Sequence, residues 1–127
     1  MHRLLCLVLL VASGCAGGPP KIAVGTPCTH CSMAIAERRF ACARQADKGV
    51  RAYDSIECLL VDRKAGERAW LSDYDTRTLH PADSMWVVRG SFPSPMGGGY
   101  AAFLDRGAAE EVAAHTNGSV ARLAEWR

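Results

Sequence analysis

The sequence predicts an α+β fold of two small ββαβ units packed together. Two observations predict it. Each half of the chain reads strand, strand, helix, strand, with turn residues between the runs. Neither half, residues 27–78 or residues 79–127, is large enough to bury a good core alone. The halves share no visible sequence similarity, so the repeat is one of pattern.

In the first unit, Phe40 and Cys42 alternate with smaller or polar residues, which predicts a strand within 38–45. Asp47-Lys48-Gly49 is a turn signal, and Val50 to Tyr53 returns as the paired strand. Asp54-Ser55 offers an N-cap. Ile56, Leu59 and Leu60 then recur at helical spacing, and Gly66 is a stop signal. The apolar run Ala69-Trp70-Leu71 closes the unit as a third strand.

The second unit repeats this order. Ser84 to Arg89 is a strand, Ser91 to Gly99 a Gly/Pro-rich loop, and Gly99 to Leu104 the next strand. Asp105 caps a predicted helix over 107–116, which Asn117-Gly118 ends. Ser119 to Leu123 closes as the last strand.

Ahead of both units stands an export signal. Met1-His2-Arg3 is followed by an apolar run from Leu4 to Ala12, too short to span a bilayer. Ala12-Ser13-Gly14-Cys15 is similar to a bacterial lipoprotein box, in which cleavage precedes the cysteine and its thiol is lipidated. The sequence thus predicts a signal peptide over 1–14, lipidation of Cys15, and a flexible, Gly/Pro-rich tether over 15–26. No Asp follows Cys15, so no inner-membrane retention signal is evident. The expected location is the bacterial envelope, anchored to the outer membrane and facing the periplasm.

The formal charge of +2 falls to +1 when Arg3 leaves with the leader. A chain this close to neutral, with few aromatic residues and no basic run, has no nucleic-acid footprint. No Ser/His/Asp constellation, P-loop, Rossmann glycine pattern or acid/base carboxylate pair is present, so no enzymatic activity is expected. Asp73 and Asp75 read as a solvated turn, and His115 as a favourable residue at a helix C-terminus.

Of six cysteines, Cys6 leaves with the leader and Cys15 carries lipid, leaving Cys28, Cys31, Cys42 and Cys58. Cys28-x-x-Cys31-x-Met33 places two thiols and a thioether close together behind Pro27. Soft sulfur donors select Cu(I), whereas Zn(II) prefers Cys and His without Met. The same spacing also suits a local disulfide. His30, between the two cysteines, reads as solvent-exposed. Met96, between Pro95 and Gly97, follows no core periodicity; it is either a soft donor on a mobile loop or a cover for apolar surface. Cys58 falls on the first turn of the predicted helix, where free amides favour a thiolate. It is read as a disulfide partner of Cys42 or as an additional ligand. An all-cysteine zinc site is the lesser alternative, because Cys42 and Cys58 lack the usual close spacing.

Taken in order, the lipoprotein leader, CxxCxM, Tyr53-Asp54-Ser55-Ile56-Glu57-Cys58, Met85-Trp86-Val87-Val88, Ser94-Pro95-Met96-Gly97-Gly98-Gly99, Ala101-Ala102-Phe103 and the Ala-rich helix near Glu110 resemble the NosL family. These are lipoprotein copper chaperones associated with nitrous oxide reductase. The resemblance covers nearly the whole mature chain. It implies Cu(I) binding through Cys28, Cys31, Met33 and Met96. It also implies delivery to a periplasmic copper-receiving enzyme or its assembly machinery. Family members often carry Gly where this chain has Ser32. A thiol–disulfide lipoprotein and a structural envelope lipoprotein are the competing expectations.

Overall fold

A computed structural model of the chain describes residues 17–127. The signal peptide and Cys15 lie outside the described residues. Among those described, no helix is long and apolar enough to cross a membrane. Residues 17–26 carry no regular strand or helix, and at their end Gly25 N–H donates to the Ile35 carbonyl.

The fold is α+β, with two antiparallel sheets and two helices. In the first unit β1 (Cys42–Ala46) and β2 (Gly49–Tyr53) form a hairpin, α1 (Ile56–Asp62) follows, and β3 (Ala69–Ser72) returns beside β1. In the second unit β5 (Trp86–Arg89) and β6 (Tyr100–Phe103) form the hairpin, α2 (Arg106–His115) follows, and β7 (Ser119–Ala121) returns beside β5. Each unit therefore centres its first strand, with the hairpin partner on one side and the post-helix strand on the other.

Several element boundaries, and one whole strand, differ from the sequence expectation. Arg38–Phe40 is a 3-10 turn, so β1 starts at Cys42. The helix α1 stops at Asp62, and Gly66 serves the turn before β3 instead of the helix end. A strand the patterning did not reveal, β4 (Leu79–Pro81), adds to the free edge of β3, giving the order β2-β1-β3-β4. Its three residues are too few to show alternation, and a proline at its end suits an edge. Finally, Ala82–Ser84 and Leu123–Glu125 are 3-10 turns, which shortens the strands predicted next to them.

Alternation along β5 and β6 explains how the units pack. Val87, Tyr100 and Ala102 face one way and join Cys42, Tyr53, Leu71, Ile56 and Leu59 in one core. Val88, Ala101 and Phe103 face the other way, where Ala109 and Ala113 of α2 cover them. The second sheet is thus buried on both faces, one against the first unit and one against its own helix. A parallel bridge between Asp73 and Ala102 joins the two sheets directly.

Candidate metal centre

The motif loop is held by backbone bonds at its base. Pro27 and Ala34 form an antiparallel bridge, Cys28 N–H donates to the Met33 carbonyl (2.8 Å), and Ser32 N–H donates to the Cys28 carbonyl (2.9 Å). This turn folds Cys31 back onto Cys28. Thr29 N–H donates to the Ala52 carbonyl (2.8 Å), which docks the loop on the outer edge of β2. One residue past that strand the chain reaches Asp54, then the N-cap Ser55, whose hydroxyl accepts from Cys58 N–H (3.3 Å). The hairpin, the cap and the motif loop thereby converge on one point.

There, a Sγ from each of Cys28, Cys31 and Cys58 and a carboxylate oxygen of Asp54 all lie within 4.8 Å of one another. The Cys31 thiol donates to Asp54 Oδ2 at 3.6 Å. Asp54 is buried, yet its Oδ1 has no hydrogen-bond partner, and among the described residues no Lys, Arg or His forms an ion pair with it. A buried carboxylate oxygen and three sulfurs this close together form a donor set that could hold a metal ion.

Electrostatics agree. Burial pushes the Cys58 thiol far up, and the neighbouring Cys28 and Asp54 add to it beyond what the Ser55 hydrogen bond offsets. The expected helix-terminus thiolate is therefore corrected: burial outweighs the first-turn amides. Cys31 is also raised, first by burial, then by Cys28 and Asp54 against the opposing Met33 amide. An arriving cation would take the place of these protons.

Of the four ligands expected from sequence, the structure brings together Cys28 and Cys31. It adds Cys58 and, unforeseen, Asp54. Met33 and Met96 stand outside this group as exposed side chains. Met33 and Asp54 line an open groove of about 650 Å³, which Ser94 and Pro95 of the Met96 loop also line. Cys42 lies outside the group and donates its thiol hydrogen to the Ser55 carbonyl (3.2 Å). The four cysteines among the described residues are free thiols in this structure, Cys42 and Cys58 included. His30 is exposed and bonds Asp62 through Nδ1 (2.8 Å), away from the sulfurs.

The turn that pairs the cysteines places Ser32 at φ 66°. This left-handed conformation costs an ordinary residue roughly 1–2 kcal/mol, while glycine adds about 0.5–1 kcal/mol of backbone entropy to be lost on folding. Ser32→Gly is therefore expected to stabilise the fold by about 0.5 kcal/mol. A urea midpoint lower than that of the parent would refute this.

No protein-family model matches the chain, and no curated protein does. Among solved structures it is similar to the crystal structure of the copper chaperone NosL from Shewanella denitrificans. The TM-score is 0.73 at 17% identity, over 85% of this chain and 94% of that one. This chain shares the fold of NosL.

Proposed function

We propose that this chain is a Cu(I) carrier of the bacterial envelope, anchored through lipid on Cys15 in the outer membrane and facing the periplasm. The observation that carries this reading is the convergence of Cys28, Cys31 and Cys58 with Asp54, a residue that also lines an open groove. Three sulfurs suit a soft ion; Met33, which lines the groove, and the exposed Met96, on the loop whose Ser94 and Pro95 also line it, offer weaker soft donors for capture and release. A carrier needs such an exchangeable site, because a closed one would store its cargo. The shared fold with a protein described as a copper chaperone supports the same cargo. The recipient is a periplasmic copper-receiving enzyme or its assembly machinery, nitrous oxide reductase or a related copper enzyme. The chain itself performs no catalysis.

A second reading, Zn(II) as cargo, is favoured by the one hard oxygen donor, Asp54. A single titration separates the two. The purified reduced chain is titrated with Cu(I) against a colorimetric chelator, with and without equimolar Zn(II). One Cu(I) per chain, unaffected by Zn(II), is expected. Uptake blocked by Zn(II) would replace copper with zinc, and equally weak competition by wild type and Cys28→Ser would exclude copper carriage. Equal reductase activity in cells with and without the chain would exclude the delivery role alone.

A further inference from the structure

The loop that carries Met96 is closed on itself. Gly97 N–H donates to the Ser94 carbonyl (3.0 Å), Gly99 N–H donates to the Ser94 hydroxyl (2.9 Å), and Gly90 N–H donates to the Gly99 carbonyl (2.8 Å). One bond ties this lobe to the first unit: Gly98 N–H donates to Glu57 Oε1 at 2.9 Å, a contact spanning 41 residues. Glu57 immediately precedes Cys58 on the first turn of α1. The carboxylate presses so close that a methyl group on residue 98 would sit 2.6 Å from Oε1 and 2.7 Å from Cδ. A side chain at residue 98 would push the Glu57 carboxylate aside. At Gly99, a side chain would instead collide with the Gly90 carbonyl. Two of the three glycines thus have separate neighbours: Gly99 the Gly90 backbone, and Gly98 the Glu57 carboxylate.

Glu57 Oε2 is buried and has no partner of its own. A half-buried carboxylate held by a single amide is a one-point, charge-assisted fastening: it orients the loop yet releases it when one hydrogen bond breaks. Its place matters. It links the loop bearing one exposed soft donor to the very turn that presents Cys58.

We propose that Glu57 is a latch that sets where the Met96 loop stands against the first turn of α1, beside Cys58, and so governs how fast Cu(I) leaves the sulfur site. This rests on the carrier reading. Glu57 is a positioning residue here, acting on the ion through the loop.

The test compares the purified chain with Glu57→Ala, Glu57→Gln, Met96→Ala and the double variant Glu57→Ala/Met96→Ala. Two quantities are read: hydrogen exchange at the Gly98 amide in the copper-free chain, and Cu(I) release into excess bathocuproine disulfonate. Glu57→Ala is expected to speed Gly98 exchange and to speed Cu(I) release about tenfold, the scale of one charge-assisted hydrogen bond. Glu57→Gln keeps an acceptor oxygen and is expected to stay within about threefold of wild type. In the Met96→Ala background the loss of Glu57 is expected to add less than about twofold, since both residues act through one loop. Additive effects, or wild-type release from Glu57→Ala, overturn the latch. So does a Gly98 amide equally unprotected in wild type and Glu57→Ala while Cu(I) still binds. Failure of the wild type to take up Cu(I) overturns the carrier reading itself and the release role with it.

Discussion

Cys58→Ser is expected to weaken Cu(I) binding by more than about 100-fold, exceeding the 10–100-fold typical of groups that only support a ligand. The sulfur lies within 4.8 Å of the Cys28 and Cys31 sulfurs and an Asp54 oxygen, and a hydroxyl there is too hard to replace it. Folding alone does not account for such a loss. Cys58 is buried, so serine leaves a hydroxyl to satisfy, at about 1–2 kcal/mol. Cys42→Ser supplies the matched control. Cys42 is equally buried, but its hydrogen goes to the Ser55 carbonyl, and a serine hydroxyl can make that bond. It should therefore retain Cu(I) affinity within about threefold, because it removes no donor from the group. Chelator competition on both variants, with urea midpoints measured alongside, decides the matter. Equal affinity in wild type and Cys58→Ser would remove this residue from the site.

That contrast also marks how far the sequence could be read. The hairpin turn at Asp47-Lys48, the Ser55 cap and the Asp105 cap were all legible, because local hydrogen-bonding residues specify them. So was the ββαβ repeat, through its alternation of periods. Cys28 and Cys31 were legible as a pair because a four-residue turn brings them together. Cys58 was ambiguous, since its partner sulfurs come from a loop that reaches it only by docking on the edge of β2. Asp54 was missed because it was grouped with the cap. Ser55 alone fills that role, which leaves the aspartate free to face the sulfurs. Its place four residues before Cys58, at a helix start, was the available signal. Short pieces such as β4 and the 3-10 turns have too few residues to establish any period.

Asp73→Ala is expected to destabilise the fold by roughly 3 kcal/mol, a large part of the 5–15 kcal/mol typical of a domain. The sequence reading of Asp73 as a solvated turn residue is corrected here, because the side chain is buried. Its Oδ1 accepts from Leu104 N–H (2.9 Å), at the end of β6 in the second sheet. Its Oδ2 accepts from the Thr76 amide (2.9 Å) and hydroxyl (2.8 Å) in the turn after β3. One carboxylate thus fastens the two sheets beside their only bridge among the described residues. Alanine would lose these charge-assisted hydrogen bonds, each worth about 1.5–3 kcal/mol and less where water replaces the carboxylate at the exposed Thr76 and Leu104. The same geometry fixes the sign of a pH effect. Burial pushes the Asp73 carboxyl up, but the bonds from Leu104 and Thr76 outweigh it and hold the group below its ordinary value of 3.8. A carboxyl depressed in the native state stabilises it above that ordinary value, and the contribution disappears as pH falls through the native value. Asp73→Asn keeps one acceptor but cannot titrate. The stability gap between wild type and Asp73→Asn, measured by urea unfolding, should therefore be constant above about pH 5 and shrink toward pH 2. A gap independent of pH would show that the charge on Asp73 contributes nothing to holding the two units together, leaving that to the shared core and the bridge.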